Sequence, residues 1–226
     1  MSSVYLKFFY YFFKFCFFDN KHLFNQHNIL KNRLQGIYHG FTGIYWHRGI
    51  VLKRTFRFWQ IGGFVFTGIA GVLLHFLYDW TNKSAIVAPF SAVNESIWEH
   101  MKLLFFPMFI FALIEYAYIG KKRICFGGVK LAGTLIGLSL IPIIYYTYTG
   151  ILGVNADWFN IIIFFIAAGT AYYSETLFLK NEICLCKSTK VAFTVMCAIG
   201  ILFIVLTFTQ PKIPLFRDPV TGAYGI

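Results

Sequence analysis

Five long apolar runs, separated by short polar segments, follow one another from residue 59 onwards. They predict membrane helices at about 59–79, 95–120, 129–149, 158–179 and 190–209. A helix of about 20 apolar residues crosses the hydrocarbon core of a bilayer, which is about 30 Å thick. The pattern therefore predicts an all-α bundle of five transmembrane helices with the lipid bilayer as its main partner.

The composition agrees with a membrane domain. The 226 residues are 58% hydrophobic and only 13% charged, whereas soluble domains are about a quarter charged. The net charge of +11 raises the question of nucleic-acid binding. Because the Lys and Arg residues are spread between apolar runs rather than gathered in a groove, we expect no nucleic-acid partner.

The distribution of Lys and Arg predicts the orientation. Sixteen lie in residues 1–58, around residues 121–130 and in residues 180–190, whereas the opposite side carries only Lys83, Lys212, Arg217 and, at a span boundary, Lys102. The positive-inside rule then places the N-terminus inside and the C-terminus outside. Cys125 and Cys184 fall on the reducing side, so no disulfide is expected.

Two segments flank the membrane domain at 51–210. Residues 1–50 form a basic, aromatic-rich extension with no sustained period, which is either an interfacial helix or sequence upstream of a misassigned start. Whether it belongs to the mature protein stays open. Residues 211–226 contain Pro211, Pro214 and Pro219, which predict an extended tail on the outer side.

Ionisable residues cluster between the first two runs, at the predicted outer edge. His75 and Asp79 are four residues apart, as are Glu95 and Glu99, so each pair would share a helix face. These four, with His100 as a less well-placed fifth member, could bind a divalent metal ion, bind a small cation or polar solute, or act as acid and base. Alternatively, they are helix caps and ion pairs, because Ser96-x-x-Glu99 fits a capping box.

Lys102 and two residues of the tail could complete this group. Lys102 lies three residues after Glu99 and could pair with it or with Glu95. Arg217 and Asp218 could fold back over the cluster as a lid.

Two acids, Glu115 and Glu175, lie near the predicted inner ends of their helices. Either they snorkel toward basic neighbours, or they belong to a proton or cation path. Gly133 and Gly137 have the spacing that lets membrane helices approach closely, and a homodimer through them would supply the symmetry that a transporter needs.

The segments HFLYDW, FSAVNESIWEHMKLLFFPM and PLFRDPVTGAYGI resemble an uncharacterised family of small multi-pass membrane proteins from Gram-positive bacteria. The resemblance covers about Arg57 to the C-terminus and implies a fold but no activity. A likeness to membrane hydrolases of the ceramidase type is only partial, because the late H-x-x-x-H pair is missing and five spans are too few for their seven.

Three function classes follow. Binding or transport of a small cation or polar solute predicts that Glu115 or Glu175 faces the bundle interior. A metal-dependent membrane hydrolase predicts that His75, Asp79 and Glu99 converge on one point. A non-catalytic accessory protein predicts neither of these arrangements, and an exposed apolar face for a partner.

Overall fold

The computed structural model describes residues 42–225 except 124, 182, 185 and 187, with side chains from Phe56 onwards except those of residues 122 and 157. Its long helices are α1 (Thr42–Trp80), α2 (Ile97–Tyr118), α3 (Phe126–Leu152), α4 (Asp157–Lys180) and α5 (Thr189–Phe208). All five are long and apolar enough to cross a membrane, in α1 over Phe56–Trp80. The predicted all-α, five-span fold is confirmed, and the orientation of the termini stays a prediction.

Among the differences between predicted and observed helix starts, that of α1 is the largest and that of α2 shapes the site. Helix α1 begins at Thr42 rather than at residue 59, so it extends into the basic, aromatic-rich segment predicted to be an interfacial helix or sequence upstream of a misassigned start, while residues 1–41 lie outside the described part. Helix α2 begins at Ile97, because the Ser96 hydroxyl caps it by accepting a hydrogen bond from the Glu99 N–H at 3.4 Å. Glu95 therefore lies in the loop before the helix.

Helix α2 forms the centre of the bundle and contacts the other four long helices. Its buried side chains, among them Leu104 and Phe105, pack against aromatic and small residues of its neighbours. The helices also present large apolar side chains outwards, such as Ile69, Ile110 and Leu202. In a bilayer these side chains are solvated by lipid, so their exposure carries no penalty.

Small residues bring α3 and α4 together. A methyl group at Gly133 would overlap Glu175 Cγ, and one at Gly137 would lie 3.2 Å from Ala171 Cβ. Both glycines are buried by their own chain, which corrects the expectation that they form a homodimer interface. They pack helices together, as predicted, but within one chain.

The two ends of the bundle are closed differently. At the His75 end, the α1–α2 loop and the C-terminal tail cover the start of α2. At the opposite end, called the Cys125 end, Cys125 and Cys184 form a disulfide between the α2–α3 and α4–α5 loops. The expectation of no disulfide is therefore wrong, because the fold brings together two loops that are distant in sequence.

Candidate functional site

Two imidazoles and one carboxylate meet at the His75 end. Glu95 Oε1 lies 3.6 Å from His75 Nε2, and Glu95 Oε2 lies 3.6 Å from His100 Nε2. One potential ligand atom from each residue lies within 4.8 Å of the other two. The histidines are partly buried and the carboxylate is about half exposed, so the group, called the His–Glu–His cluster, is accessible from the membrane edge.

The position of Glu95 explains why its partners were predicted incorrectly from the sequence. The prediction put Glu95 on the same helix as Glu99, with His100 less well placed to share their face. Because α2 starts only at Ile97, Glu95 lies in the preceding loop, and the helix does not set the direction of its side chain. The carboxylate reaches both His75 of α1 and His100 of α2. A two-residue error in a helix start thus changes which residues form the site.

A backbone contact orients His100. Its Nδ1 lies 2.9 Å from the Ser96 carbonyl oxygen, which can only accept a hydrogen bond. The Nδ1 atom must therefore carry the proton, and in the neutral ring Nε2 keeps its lone pair toward Glu95. Metal-ligating histidines commonly show this second hydrogen bond, which fixes the tautomer and the ring orientation.

A cleft leads away from the cluster between α2, α3 and α4. Glu95 and His100 line it together with two polar side chains, Tyr145 from α3 and Asn160 from α4, and with apolar residues such as Phe164. Asn160 is held in place because its side-chain oxygen accepts a hydrogen bond from the Tyr148 hydroxyl at 2.7 Å. The cleft thus places the Tyr145 hydroxyl and the Asn160 amide near the two cluster residues, around a space with room for little more than a water molecule.

Glu99 and Lys102 lie apart from this cluster, as a fully buried ion pair with 2.6 Å between Nζ and Oε2. Glu99 Oε2 also accepts the Val93 N–H at 3.1 Å, and Oε1 accepts Gln210 Nε2 at 3.4 Å. Glu99 therefore fastens the α1–α2 loop and the tail to α2. Asp79 is exposed. Neither Asp79 nor Glu99 therefore belongs to the group that contains His75.

The tail folds back onto the His75 end but not as the predicted lid. Phe216 is buried against Trp98 with 4.6 Å between ring centroids, and Asn94 donates to the Gly225 carbonyl at 3.0 Å. Arg217 is exposed and forms no ion pair with Glu95 or Glu99 among the described residues. Asp218 instead accepts hydrogen bonds from its own turn, from the Val220 N–H and the Thr221 hydroxyl.

Glu115 and Glu175 both face the interior of the bundle. Each places Oε2 at 2.5 Å from Lys130 Nζ, and all three side chains are at most 2% exposed. The snorkelling alternative is therefore wrong, because the counter-charge lies inside the bundle rather than in the loops.

The first 50 residues fall outside the region matched by a known family. The model described as "Family of unknown function (DUF6512)" matches residues 51–226. The chain belongs to this family. No curated protein and no solved structure matches it.

Within this DUF6512 chain, sequence reasoning missed the role of Lys130, which was counted among the loop cations. A signal was available: Lys130 lies four residues inside α3, and Glu115 and Glu175 lie at similar distances from the ends of α2 and α4 at the same end of the bundle. Ionisable groups at one depth in neighbouring membrane helices usually face one another, because lipid does not solvate them.

Proposed function

We propose that this protein binds a divalent transition-metal ion at the His–Glu–His cluster. The observation that carries the proposal is the approach of two imidazole nitrogens and one carboxylate to within 4.8 Å of one another. Nitrogen and oxygen donors of this kind suit zinc, iron and manganese. With the predicted orientation, the cluster faces the outside of a bacterial plasma membrane, and the metal ion would be the cofactor or the cargo.

The distances fit ion pairs and lie close to those expected around a metal ion. Ligand atoms around tetrahedral zinc are about 3.3 Å apart, which follows from metal–ligand bonds of about 2.0–2.1 Å. Each histidine lies 3.6 Å from a different oxygen of Glu95, and the three ligand atoms lie within 4.8 Å of one another, so metal binding would draw the three side chains together by about 1 Å. Because three protein ligands leave a coordination position open, a metal ion here could also hold a water molecule in the neighbouring cleft.

Transport of the same cation is the second candidate. Its support is the interior position of Glu115 and Glu175 between α2, α3 and α4. The hydrolase hypothesis has less support, since among the described residues Asp79 and Glu99 are not members of the His–Glu–His cluster. The accessory-protein hypothesis explains the buried Glu99–Lys102 pair but leaves the His–Glu–His cluster without a role.

The test is calorimetric titration of the purified chain, in lipid nanodiscs, with Zn²⁺ and with Mn²⁺. We expect one site per chain, and at least a tenfold loss of affinity in His75→Ala, His100→Ala and Glu95→Gln. The matched control is Asp79→Asn, an exposed acid one helical turn from His75, which should bind like the wild type. Saturable binding that all three cluster variants retain would refute the proposal, as would no saturable binding at all.

Transport needs a separate measurement. Proteoliposomes loaded with a zinc-sensitive dye should show uptake that is lost in His75→Ala and kept in Asp79→Asn. Binding without uptake would leave the metal-binding proposal in place and remove the transport candidate.

A further inference from the structure

Four polar side chains from four different helices meet in the Cys125 half of the bundle. They are Gln60 from α1, Glu115 from α2, Lys130 from α3 and Glu175 from α4, and each is at most 4% exposed. Lys130 Nζ lies 2.5 Å from one oxygen of each glutamate, and Gln60 Nε2 donates to the other oxygen of Glu115 at 3.2 Å. We call these four residues the buried tetrad.

The charges of the tetrad do not balance. One lysine faces two carboxylates, so with both acids ionised the group carries one net negative charge inside the membrane spans. No other cation pairs with either glutamate among the described residues. The remaining titratable neighbour is Tyr172, whose ring lies 5.5 Å from Lys130 Nζ and whose hydroxyl is hydrogen bonded to Thr67 at 2.9 Å. An unbalanced charge at such a site is costly.

The hydrogen bonds of the tetrad are also incomplete. Glu115 Oε2 is ion-paired with Lys130 but forms no hydrogen bond of regular geometry, whereas Glu175 Oε1 and Gln60 Oε1 are both buried and accept no hydrogen bond. Both atoms are acceptors, so neither can satisfy the other. Buried acceptors normally have a donor, and two orphaned ones in the same group point to a missing donor.

We propose that the buried tetrad binds one exchangeable proton, carried by the Glu115 and Glu175 pair. A single proton would account for the unbalanced charge and for the missing hydrogen-bond donor. It removes the net negative charge, and it turns one carboxylate oxygen into a donor that can form a hydrogen bond with an unpaired acceptor. The ligand is a proton taken up from water, and its loss leaves the tetrad with its negative charge, which weakens the contact between the four helices. This site is independent of the metal-binding proposal, because it lies in the opposite half of the bundle.

Infrared spectroscopy of the full chain in nanodiscs tests this directly. At neutral pH we expect a carbonyl band from one protonated carboxylic acid, which shifts to lower frequency in D₂O. Either Glu175→Gln or Glu115→Gln should remove the band, because the remaining carboxylate then forms a neutral one-to-one pair with Lys130. The controls are Glu99→Gln, at the other end of α2, and Tyr172→Phe, and both should keep the band.

Three results would overturn the proposal: no such band in the wild type at any pH where the protein is folded, a band that does not respond to D₂O, or a band that survives both glutamine variants. If a glutamine variant does not fold, Gly133→Ala takes its place. A methyl group there would lie 2.7 Å from Glu175 Oε1, so it should shift the frequency of the band while both acids remain. An unshifted band would count against the tetrad as its source.

Discussion

Lys102 Nζ lies 2.6 Å from Glu99 Oε2, and neither side chain has any exposed surface. Lys102 also donates to the Ala88 carbonyl and to the Thr207 hydroxyl, each at 2.9 Å. All three ammonium protons thus have acceptors, in the α1–α2 loop, in α2 and in α5. A buried pair of this kind contributes little net stability compared with an apolar replacement, but breaking it by removing one partner is costly.

Lys102→Met should therefore lower the free energy of unfolding by about 3–5 kcal/mol, because Glu99 would be left buried without a counter-charge. Lys83→Met is the matched control, since Lys83 is exposed on the loop at the same end of the bundle. It should change stability by less than about 0.5 kcal/mol. Thermal or denaturant unfolding in detergent provides the comparison, and equal effects of the two substitutions would contradict the role assigned to the pair.

Two glycines of α3 should respond in opposite ways to alanine. At Gly133 the new methyl group would meet Glu175 and should destabilise the protein by about 1–3 kcal/mol, the usual cost of overpacking. At Gly150 nothing lies within 4 Å, so alanine should be neutral or stabilise by up to about 1 kcal/mol through helix propensity. Unfolding curves of the two variants give the test, and a stable Gly133→Ala variant would disprove the close approach of α3 and α4.

Phe216 should anchor the tail to the bundle. Phe216→Ala should cost about 3–5 kcal/mol if the tail unfolds together with the core, because it removes a buried aromatic ring from beside Trp98. If the tail instead detaches alone, limited proteolysis should cut it faster in the variant. Val220→Ala, at an exposed position of the same tail, should change neither measurement.

The disulfide should act as a single structural unit. Cys125→Ser, Cys184→Ser and the double variant should each lose the same stability, about 2–4 kcal/mol, since the bond joins residues 59 positions apart. Cys197→Ser, at an exposed position of α5, is the control and should leave stability unchanged. Additive losses in the double variant would show that the two sulfur atoms act separately.

The same bond bears on the orientation of the chain. Most of the described Lys and Arg residues outside the spans lie at the Cys125 end, which the positive-inside rule predicts to be cytoplasmic, whereas disulfides persist in oxidising compartments. With a cytoplasmic Cys125 end, intact cells should not react with a membrane-impermeant thiol reagent at these cysteines, even after reduction. Labelling from outside would reverse the predicted orientation.

The general architecture could be predicted from the sequence because hydrophobic length is a strong signal. About 20 apolar residues have few alternatives to a membrane helix, and each of the five predicted spans is present. The ends of the helices are set by individual contacts, so they were less predictable: the hydrogen bonds of Ser96 and Asn94, not hydropathy, determine where α2 begins.

Which residues contact one another within the site was harder to predict, because it depends on where the helices end and on how helices distant in sequence pack together. His75 and Glu95 were predicted as members of one group, but the choice of His100 over Glu99 follows from a two-residue shift. Lys130 was missed because it was counted as a topology signal, although its side chain points between Glu115 and Glu175. Such pairings require the arrangement of α2, α3 and α4, which one sequence does not contain.

The charges of α2 also affect the order in which the helices insert into the membrane. Glu99 and Lys102 lie on the same helix, so they neutralise each other as soon as α2 enters the bilayer. Glu115 has no such partner until the ribosome has made Lys130, fifteen positions later in α3. We therefore expect α2 and α3 to leave the translocon together as a hairpin, with α4 joining afterwards to bring Glu175 to a lysine that is already in place.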